Sequence, residues 1–211
     1  MNSVTRDFNK VARTWDEEPR RVKLAEQVSA AILEAIPLEA HMDVLDFGCG
    51  TGLLTLALQP FVHTITGVDS SQGMLDVLNN KIRALCLSHI QTRLVDLNAG
   101  DVLTGQYHLV VSSMTFHHVL DTGSLLKRLY DVIIPGGRIG IADLDLDGGK
   151  FHSDNTGVFH PGFDREQLRD IFTQAGFEKV HDRTAATMRK LMANDDEKSF
   201  SVFLMTGHKP L

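Results

Sequence analysis

Cysteine is scarce in this sequence. Its 211 residues contain only two cysteines, Cys49 and Cys86, and neither has a partner at Cys-x-x-Cys spacing. This pattern disfavours both a disulfide framework and a cysteine zinc site, and it is typical of a protein that works in a reducing compartment. We therefore expect a cytoplasmic protein.

Long apolar runs and basic blocks are also missing. The longest apolar stretch, from Ile133 to Ala142, is interrupted by Pro135-Gly136-Gly137 and falls short of the ~20 residues that cross a bilayer. Lys and Arg number 21 against 27 Asp and Glu, giving a net charge of -6. A broad surface for nucleic acid is therefore not expected, and neither is a membrane anchor. Met1 to Lys10 is polar and lacks the pattern of a signal peptide.

Apolar segments of strand length alternate with segments of helical periodicity. The predicted strands are Met42–Phe47, Val62–Val68, Ile90–Val95, Tyr107–Ser112 and Arg138–Leu144, followed by Phe177–Asp182 and Phe200–Thr206. The predicted helices are Leu53–Gln59, Ser71–Leu85, Thr122–Val132 and Arg165–Ala175. This order indicates an α/β fold with a mostly parallel, doubly wound sheet covered by helices on both faces.

Three segments lie outside this alternation. Residues 1–36 are predicted to be helical, with Pro19 separating a short helix, Thr5–Trp15, from a longer one. Residues 147–162 are predicted to form a loop over the carboxyl ends of the strands. Residues 183–198 are polar and are predicted to be a short helix or a mobile lid. We expect residues 1–211 to form a single domain.

A glycine-rich stretch follows the first predicted strand. Gly48, Gly50 and Gly52 let a backbone approach a nucleotide-like ligand closely, and a helix N-terminus follows them. The dinucleotide fingerprint Gly-x-Gly-x-x-Gly would place its third glycine where Leu53 stands. Asp46, just before the loop, would repel a pyrophosphate and attract an ammonium group. These two residues disfavour a nicotinamide-dependent oxidoreductase.

Five stretches occur in the order of a known family. They are Val44 to Gly52, Gly67 to Ser71, Val95 to Leu97, Val110 to Val119, and Pro135 to Arg138. With them the sequence resembles the class I S-adenosylmethionine-dependent methyltransferases, of the small-molecule, type 11/12-like kind. The resemblance implies a Rossmann-like sheet of about seven strands, with one antiparallel strand near the C-terminus. It also implies S-adenosylmethionine as the cofactor.

Two acids at predicted strand ends suit the adenosine part of that cofactor. Asp69 can accept both ribose hydroxyls, as the ribose-binding acid does in dinucleotide folds, or it can cap the helix that follows. By resemblance, the Asp96 side chain meets the adenine amino group and the Leu97 amide meets a ring nitrogen. The alternative for Asp96 is an ordinary exposed loop acid.

The remaining cofactor contacts follow from the resemblance. The expected cofactor-binding residues are Trp15, Asp46, Gly48, Cys49, Gly50, Asp69, Ser70, Met74, Asp96, Leu97, Ser112 and Ser113. Met74 would pack against the adenine or belong to the core. Trp15 would lie near the sulfonium, where cation–π attraction favours positive charge, or fix its helix to the core.

Methyl transfer from a sulfonium needs little beyond alignment of the acceptor. A base is needed only where the acceptor carries a proton, and histidine titrates in the useful range. We expect His117 to be the catalytic base, with His118 and His160 at the acceptor. The alternatives are structural roles for His117 and, for His160, a contact that ties down its loop. His152 is a further candidate base.

Asp143, Asp145, His152 and Asp154 are the candidate ligands for a metal site. Relatives that methylate catechols hold magnesium with carboxylates, but this set lacks a clear match to such a site. We therefore expect no metal.

The predicted function is methyl transfer from S-adenosylmethionine to a small-molecule acceptor, with no nucleic-acid partner and no membrane partner. Phe116-His117-His118 and the N-terminal segment most resemble enzymes that act on quinone-like or other small metabolites. The alternative is a regulatory or assembly protein that binds the cofactor without transferring its methyl group. Oligomeric state is not indicated by the sequence.

Overall fold

A computed structural model describes residues 6–191 and 197–211. Its centre is a seven-stranded sheet in the order β3-β2-β1-β4-β5-β7-β6. The first five strands pair in parallel, while β7 runs antiparallel to both of its neighbours. This confirms the predicted Rossmann-like sheet with one reversed strand near the C-terminus.

The elements alternate along the chain largely as predicted. The strands are β1 Asp43–Phe47, β2 Thr64–Asp69, β3 Ile90–Leu94, β4 Tyr107–Ser113, β5 Ile133–Leu144, β6 Glu178–Leu191 and β7 Glu197–His208. The α-helices are α1 Pro19–Ala35, α2 Leu53–Leu58, α3 Gln72–Ala84, α4 Thr122–Val132 and α5 Arg165–Gln174. Short 3-10 turns cover Phe8–Lys10, Ala12–Glu17, Gln59–Phe61 and Phe116–His118.

Each face of the sheet has its own apolar core. Leu24, Val28 and Ile32 form the buried stripe of α1 that the helical periodicity predicts, and they pack on one face. Leu125 and Leu129 of α4 pack on the other face. Burying one such side chain contributes about 1.5–3 kcal/mol. The two cores fix the sheet, and therefore the positions of its strand ends.

Strand order reverses between β1 and β4. The chain leaves β1 towards β2 and β3 on one side, then returns to place β4 and β5 on the other. In open α/β sheets this reversal opens a crevice beyond the carboxyl ends of the strands, where ligands bind. The glycine loop, residues 48–52, lies at that point.

Two local predictions differ from the structure in detail or in kind. The short helix predicted over Thr5–Trp15, of which Thr5 lies outside the described residues, is formed by two 3-10 helices, Phe8–Lys10 and Ala12–Glu17. Residues 183–191 and 197–198 belong to β6 and β7, where a short helix or lid was predicted. The two strands pair antiparallel as far as Leu191 and Glu197. Burial of Ala186 explains how so polar a segment still packs on the core.

No helix in the described part of the chain is both long enough and apolar enough to span a bilayer.

Candidate active site

A cavity of about 520 Å³ opens at the carboxyl ends of β1, β2 and β4. Its walls come from the glycine loop, the N-terminal turns, the loop after β4, residues 151–153 and the end of β6. Predicted site residues on its walls are Trp15, Asp46, Gly48, Cys49, Gly50, Asp69, Ser70, Met74, Asp96, Leu97, Ser113, His117 and His118. The sheet therefore brings these distant stretches of sequence to one place.

The glycine loop depends on positive φ angles. Gly48 has φ +72°, and a Cβ there would lie 2.2 Å from Thr115 Oγ1. Gly52 has φ +85°, and a Cβ there would lie 2.2 Å from Leu78 Cδ1. Gly50 also has positive φ, +54°, but no atom would lie within 4 Å of its Cβ. Two of these glycines are therefore needed for packing, while Gly50 faces open space in the cavity wall.

Asp46 is a buried acid with one internal partner. Its side chain is 1% exposed, and Thr55 Oγ1 donates a hydrogen bond of 2.5 Å to its Oδ2. Burial, reinforced by the nearby Asp69 charge, raises the pKa of Asp46 to about 7. A positively charged group in the cavity would favour the ionised carboxylate.

Asp69 lies at the end of β2 and holds the glycine loop. Its Oδ2 accepts a hydrogen bond of 2.9 Å from Gly50 N, and its Oδ1 accepts one of 2.8 Å from Ser71 N. Burial raises the pKa of Asp69, although these backbone donors work against the shift. Ser71, whose Oγ accepts from Met74 N, is the N-cap of α3. The N-cap position, which was the alternative role for Asp69, is therefore occupied by Ser71.

Asp96 and Met74 line another part of the same cavity. Asp96 Oδ1 accepts a hydrogen bond from Asn98 N and stabilises the loop after β3. The neighbouring Leu97 lies on the cavity wall. Met74 is only 2% exposed, yet it also lines the cavity. It therefore combines both of the roles considered from the sequence, core packing and cavity wall.

The N-terminal turns form one wall of the cavity. The guanidinium of Arg21 lies 3.7 Å from the ring centroid of Trp15, so a cation within the chain already occupies a face of this indole. Phe8 packs edge-on against Trp15 and against His118, with ring centroids 5.9 and 5.1 Å apart. Phe8 thus connects the N-terminal segment to the histidines.

A polar network ties this segment to the glycine loop. Asp16 Oδ1 accepts a hydrogen bond of 2.6 Å from Thr51 Oγ1, and Asp16 Oδ2 pairs with Lys81 Nζ at 2.5 Å. Lys81 also donates to the Thr51 carbonyl at 2.8 Å. We call these three residues the Asp16 network. It joins the N-terminal turns, the glycine loop and α3.

Three histidines meet on another wall of the cavity. His117 is 1% exposed and lies in the turn after β4. Its Nδ1 donates a hydrogen bond of 2.6 Å to Asp143 Oδ1, and its Nε2 lies 3.2 Å from His152 Nε2. Burial alone would raise the pKa of Asp143, but the His117 charge and several hydrogen bonds outweigh it and lower that pKa.

The other two histidines are held in neutral form. His118 Nδ1 donates to the Gly157 carbonyl at 2.7 Å. Burial, with His117 nearby, lowers the pKa of His118 to about 4. Burial, with His117 and Arg6 nearby, lowers the pKa of His152 to about 4 as well. We call His117, His118 and His152 the histidine cluster.

Two predicted site residues do not reach the cavity. Ser112 is fully buried, and its Oγ donates to the Phe47 carbonyl at 2.7 Å. His160 Nε2 donates to the Val119 carbonyl at 2.9 Å. The bond made by His160 is the loop-fixing contact considered as an alternative from the sequence.

Several cavity residues were missed from the sequence. Met188, Arg189 and Lys190 reach it because β6 extends beyond its predicted end. Phe8 belongs to the predicted N-terminal segment, but no sequence motif marks it as a cavity residue. Asp143 lies behind the cavity wall, where it is fully buried. The sequence indicates it only as a candidate metal ligand, because no pattern places it beside His117.

Comparison with known proteins agrees with this geometry. A family described as a methyltransferase domain matches residues 20–182. An uncharacterized methyltransferase of Schizosaccharomyces pombe, C1347.09, is 33% identical over 157 residues, covering 67% of this chain and 55% of the relative. A demethylmenaquinone methyltransferase of Lactobacillus johnsonii is 30% identical over 146 residues, covering 64% of this chain and 58% of the relative. The matched part of this chain thus spans little more than half the length of these relatives.

A solved structure shares the fold. The phosphoethanolamine N-methyltransferase 2 of Haemonchus contortus, in complex with S-adenosyl-L-methionine, superposes with a TM-score of 0.70 at 17% identity. The match covers 98% of this chain and 61% of that protein. With its sheet order, its glycine loop and a family match across residues 20–182, the chain belongs to the class I S-adenosylmethionine-dependent methyltransferases, of the type 11/12 kind.

Proposed function

We propose that this protein transfers a methyl group from S-adenosylmethionine to a small-molecule acceptor. The observation that carries the proposal is a single cavity with two chemically different sides. Asp46, Gly50 and Asp69 form one side, and the histidine cluster forms another. The first suits the cofactor, and the second suits an acceptor placed next to it.

The residues on the first side of the cavity suit the parts of the cofactor. Gly50 presents open space where a side chain would obstruct a ligand. The buried Asp46 suits the ammonium of the methionine part, and Asp69 still has acceptor capacity for ribose hydroxyls. Asp96 and the Leu97 amide are assigned to the adenine. Ser70, Met74 and Ser113 complete this side of the cavity.

When bound, the cofactor supplies a methyl group already activated on a sulfonium. The chain then has to bind the cofactor and the acceptor, orient them and exclude water. Correct alignment of the two reactants alone can lower the activation barrier by several kcal/mol. The Asp16 network holds the N-terminal turns over the cavity. Phe8 and His118 form a wall against which a flat acceptor could pack.

His117 is assigned as the base for an acceptor that carries a proton. Asp143 can only accept from the imidazole, so Nδ1 carries the proton and the lone pair of Nε2 faces His152 Nε2, 3.2 Å away. That lone pair points to the cluster side of the cavity. Asp143 also stabilises the imidazolium that forms when Nε2 takes a proton.

The size of the cavity favours a small acceptor. A cavity of about 520 Å³ is within the range of small-molecule sites and suits the cofactor with a small acceptor beside it. Two curated relatives are named as a demethylmenaquinone methyltransferase and a ubiquinone biosynthesis O-methyltransferase. Quinol-like phenols are therefore the first acceptors to test.

The test is transfer of labelled methyl groups from S-adenosylmethionine to a panel of quinols, other phenols, thiols and amines. We expect time-dependent transfer to at least one class, and a loss of about 10²–10⁴-fold in kcat for His117→Asn on a protonated acceptor. Tight binding of S-adenosylhomocysteine without transfer to any member would contradict the enzymatic proposal. It would favour a regulatory or assembly role.

A further inference from the structure

The histidine cluster has the composition of a metal site. One ligand nitrogen from each of His117, His118 and His152 lies within 4.8 Å of the others. Three histidines with an open fourth position are a known arrangement for catalytic zinc. The carboxylates considered from the sequence are therefore not the ligands to examine.

Hydrogen bonds fix which nitrogens are available. Asp143 and the Gly157 carbonyl can only accept, so His117 and His118 both donate from Nδ1. Both Nε2 atoms consequently carry lone pairs. His152, when neutral, can offer only one N–H to them. The cluster thus has more acceptors than donors, and a cation would satisfy the surplus.

The spacing also suits a tetrahedral ion. Two nitrogens bound about 2.0–2.1 Å from one tetrahedral zinc lie about 3.3–3.4 Å apart. The Nε2 atoms of His117 and His152 are 3.2 Å apart. His118 offers its ligand atom within 4.8 Å of those of His117 and His152, and its ring centroid is 4.1 Å from that of His117.

The partners of the imidazoles are those expected around a metal. Metal-bound histidines usually donate their second nitrogen to a carboxylate or a backbone carbonyl, which fixes the tautomer and the ring orientation. Asp143, with no exposed surface, plays this part for His117, and Gly157 plays it for His118.

We propose that His117, His118 and His152 bind a divalent transition-metal ion, zinc in the first instance, whose open position takes the acceptor's oxygen or sulfur. Three neutral imidazoles suit zinc and its neighbours in the first transition row better than magnesium or calcium. The acceptor class is then a phenol or thiol that can coordinate a cation. This catalytic part rests on the proposed function, whereas cation binding itself does not.

Coordination would change how the acceptor loses its proton. The ion lowers the pKa of the bound hydroxyl or thiol, and the proton passes to water. The acceptor atom forms a bond to the methyl carbon while the sulfonium bond breaks and its electron pair stays on sulfur. Methylated acceptor, S-adenosylhomocysteine and one proton result. His117 serves as ligand in this form and as base only in the metal-free protein.

The test is a cobalt titration of tag-free protein that has been treated with a chelator. Tetrahedral cobalt has strong visible absorption bands, and zinc should abolish them by displacement. We expect saturation at one ion per chain. His118→Ala and His152→Ala should each weaken affinity at least tenfold. His160→Gln, in the same loop, and His63→Gln, a histidine outside the cluster, should leave it unchanged.

Two outcomes would overturn the inference. One is the absence of cobalt absorption bands in the parent protein. The other is an equal cobalt affinity in His152→Ala and the parent protein. Thermal unfolding of each variant reports whether the fold is intact. Binding of S-adenosylhomocysteine without cobalt binding would defeat the metal inference and leave the proposed function standing. Cobalt binding without S-adenosylhomocysteine binding would defeat the proposed function and the acceptor role of the ion, but not cation binding itself.

Discussion

Asp46 shows how one buried acid can serve binding at a cost to stability. Its pKa is about 7 in the fold, against 3.8 for an ordinary aspartate. The folded chain therefore binds more protons than the unfolded chain between these values. The free energy of unfolding contributed by this group falls as pH rises from about 4 to about 7. Above pH 7 the penalty is fully present.

Asp46→Asn should remove that penalty. We expect the cofactor-free variant to gain about 1–3 kcal/mol in free energy of unfolding at pH 8 and little at pH 4. Its affinity for S-adenosylhomocysteine should fall, because the ammonium loses its carboxylate. Urea unfolding at both pH values and calorimetry check the two effects.

Asp43→Asn is the matched control in the same strand. A hydrogen bond from Thr64 outweighs the effect of partial burial and lowers the pKa of Asp43. Its carboxylate is therefore stabilising at neutral pH, and its loss should lower stability without changing cofactor affinity. Stabilities that move in the same direction for Asp46→Asn and Asp43→Asn would contradict this account of Asp46.

Gly50 separates binding from packing within one loop. A methyl group there would meet no protein atom within 4 Å, although φ is +54°. We expect Gly50→Ala to cost about 1–2 kcal/mol in stability from backbone strain and to weaken S-adenosylhomocysteine binding by more than tenfold. Gly52→Ala, whose methyl would strike Leu78, should instead mainly destabilise the fold. Thermal unfolding and calorimetry on both variants distinguish the two roles.

At the scale of elements, the N-terminal turns are held by few polar contacts. Asp16 and Lys81 are each more than a quarter exposed, so their pair is worth about 1 kcal/mol or less to stability. We expect Asp16→Asn to change the free energy of unfolding little. It should accelerate S-adenosylhomocysteine dissociation several-fold, because Phe8 and Trp15 would be less firmly positioned over the cavity.

Stopped-flow dissociation and hydrogen exchange of residues 6–17 measure this effect. Glu34→Gln is the control, since it breaks an exposed pair with Arg183. Equal dissociation rates in Asp16→Asn and the parent protein would show that the Asp16 network does not slow release of the cofactor.

The elements also show what the sequence could and could not predict. β1, β2 and β4 are short, largely apolar runs that lead into the glycine loop or end in polar residues, so their existence and order could be inferred from the sequence pattern. β6 and β7 extend through polar residues, and their pairing depends on contacts between residues far apart in the chain. The local pattern therefore predicted the first part of β6 and the central part of β7, and it missed the polar residues at the end of β6 and the start of β7.

At the scale of the whole molecule, the cofactor side of the cavity was more predictable than the acceptor side. The glycines and acids of the cofactor side lie at the carboxyl ends of strands or just beyond them, so the sheet places them together. The histidine cluster instead depends on how residues 147–162 fold back, bringing His152 to His117. A loop without periodicity gives no signal of such a contact. Asp143 lies in the predicted strand β5, but its contact with His117 depends on how the turn after β4 packs, which the sequence pattern does not show.

Calorimetric titration with S-adenosylhomocysteine tests the central claim most directly. We expect one site per chain with micromolar or tighter affinity, and about 1–3 kcal/mol weaker binding for Asp69→Ala, which removes a buried acceptor. Thermal unfolding of the variant without ligand would show that it is folded. Absence of binding by the parent protein at high micromolar ligand would contradict the assignment of this cavity to the cofactor.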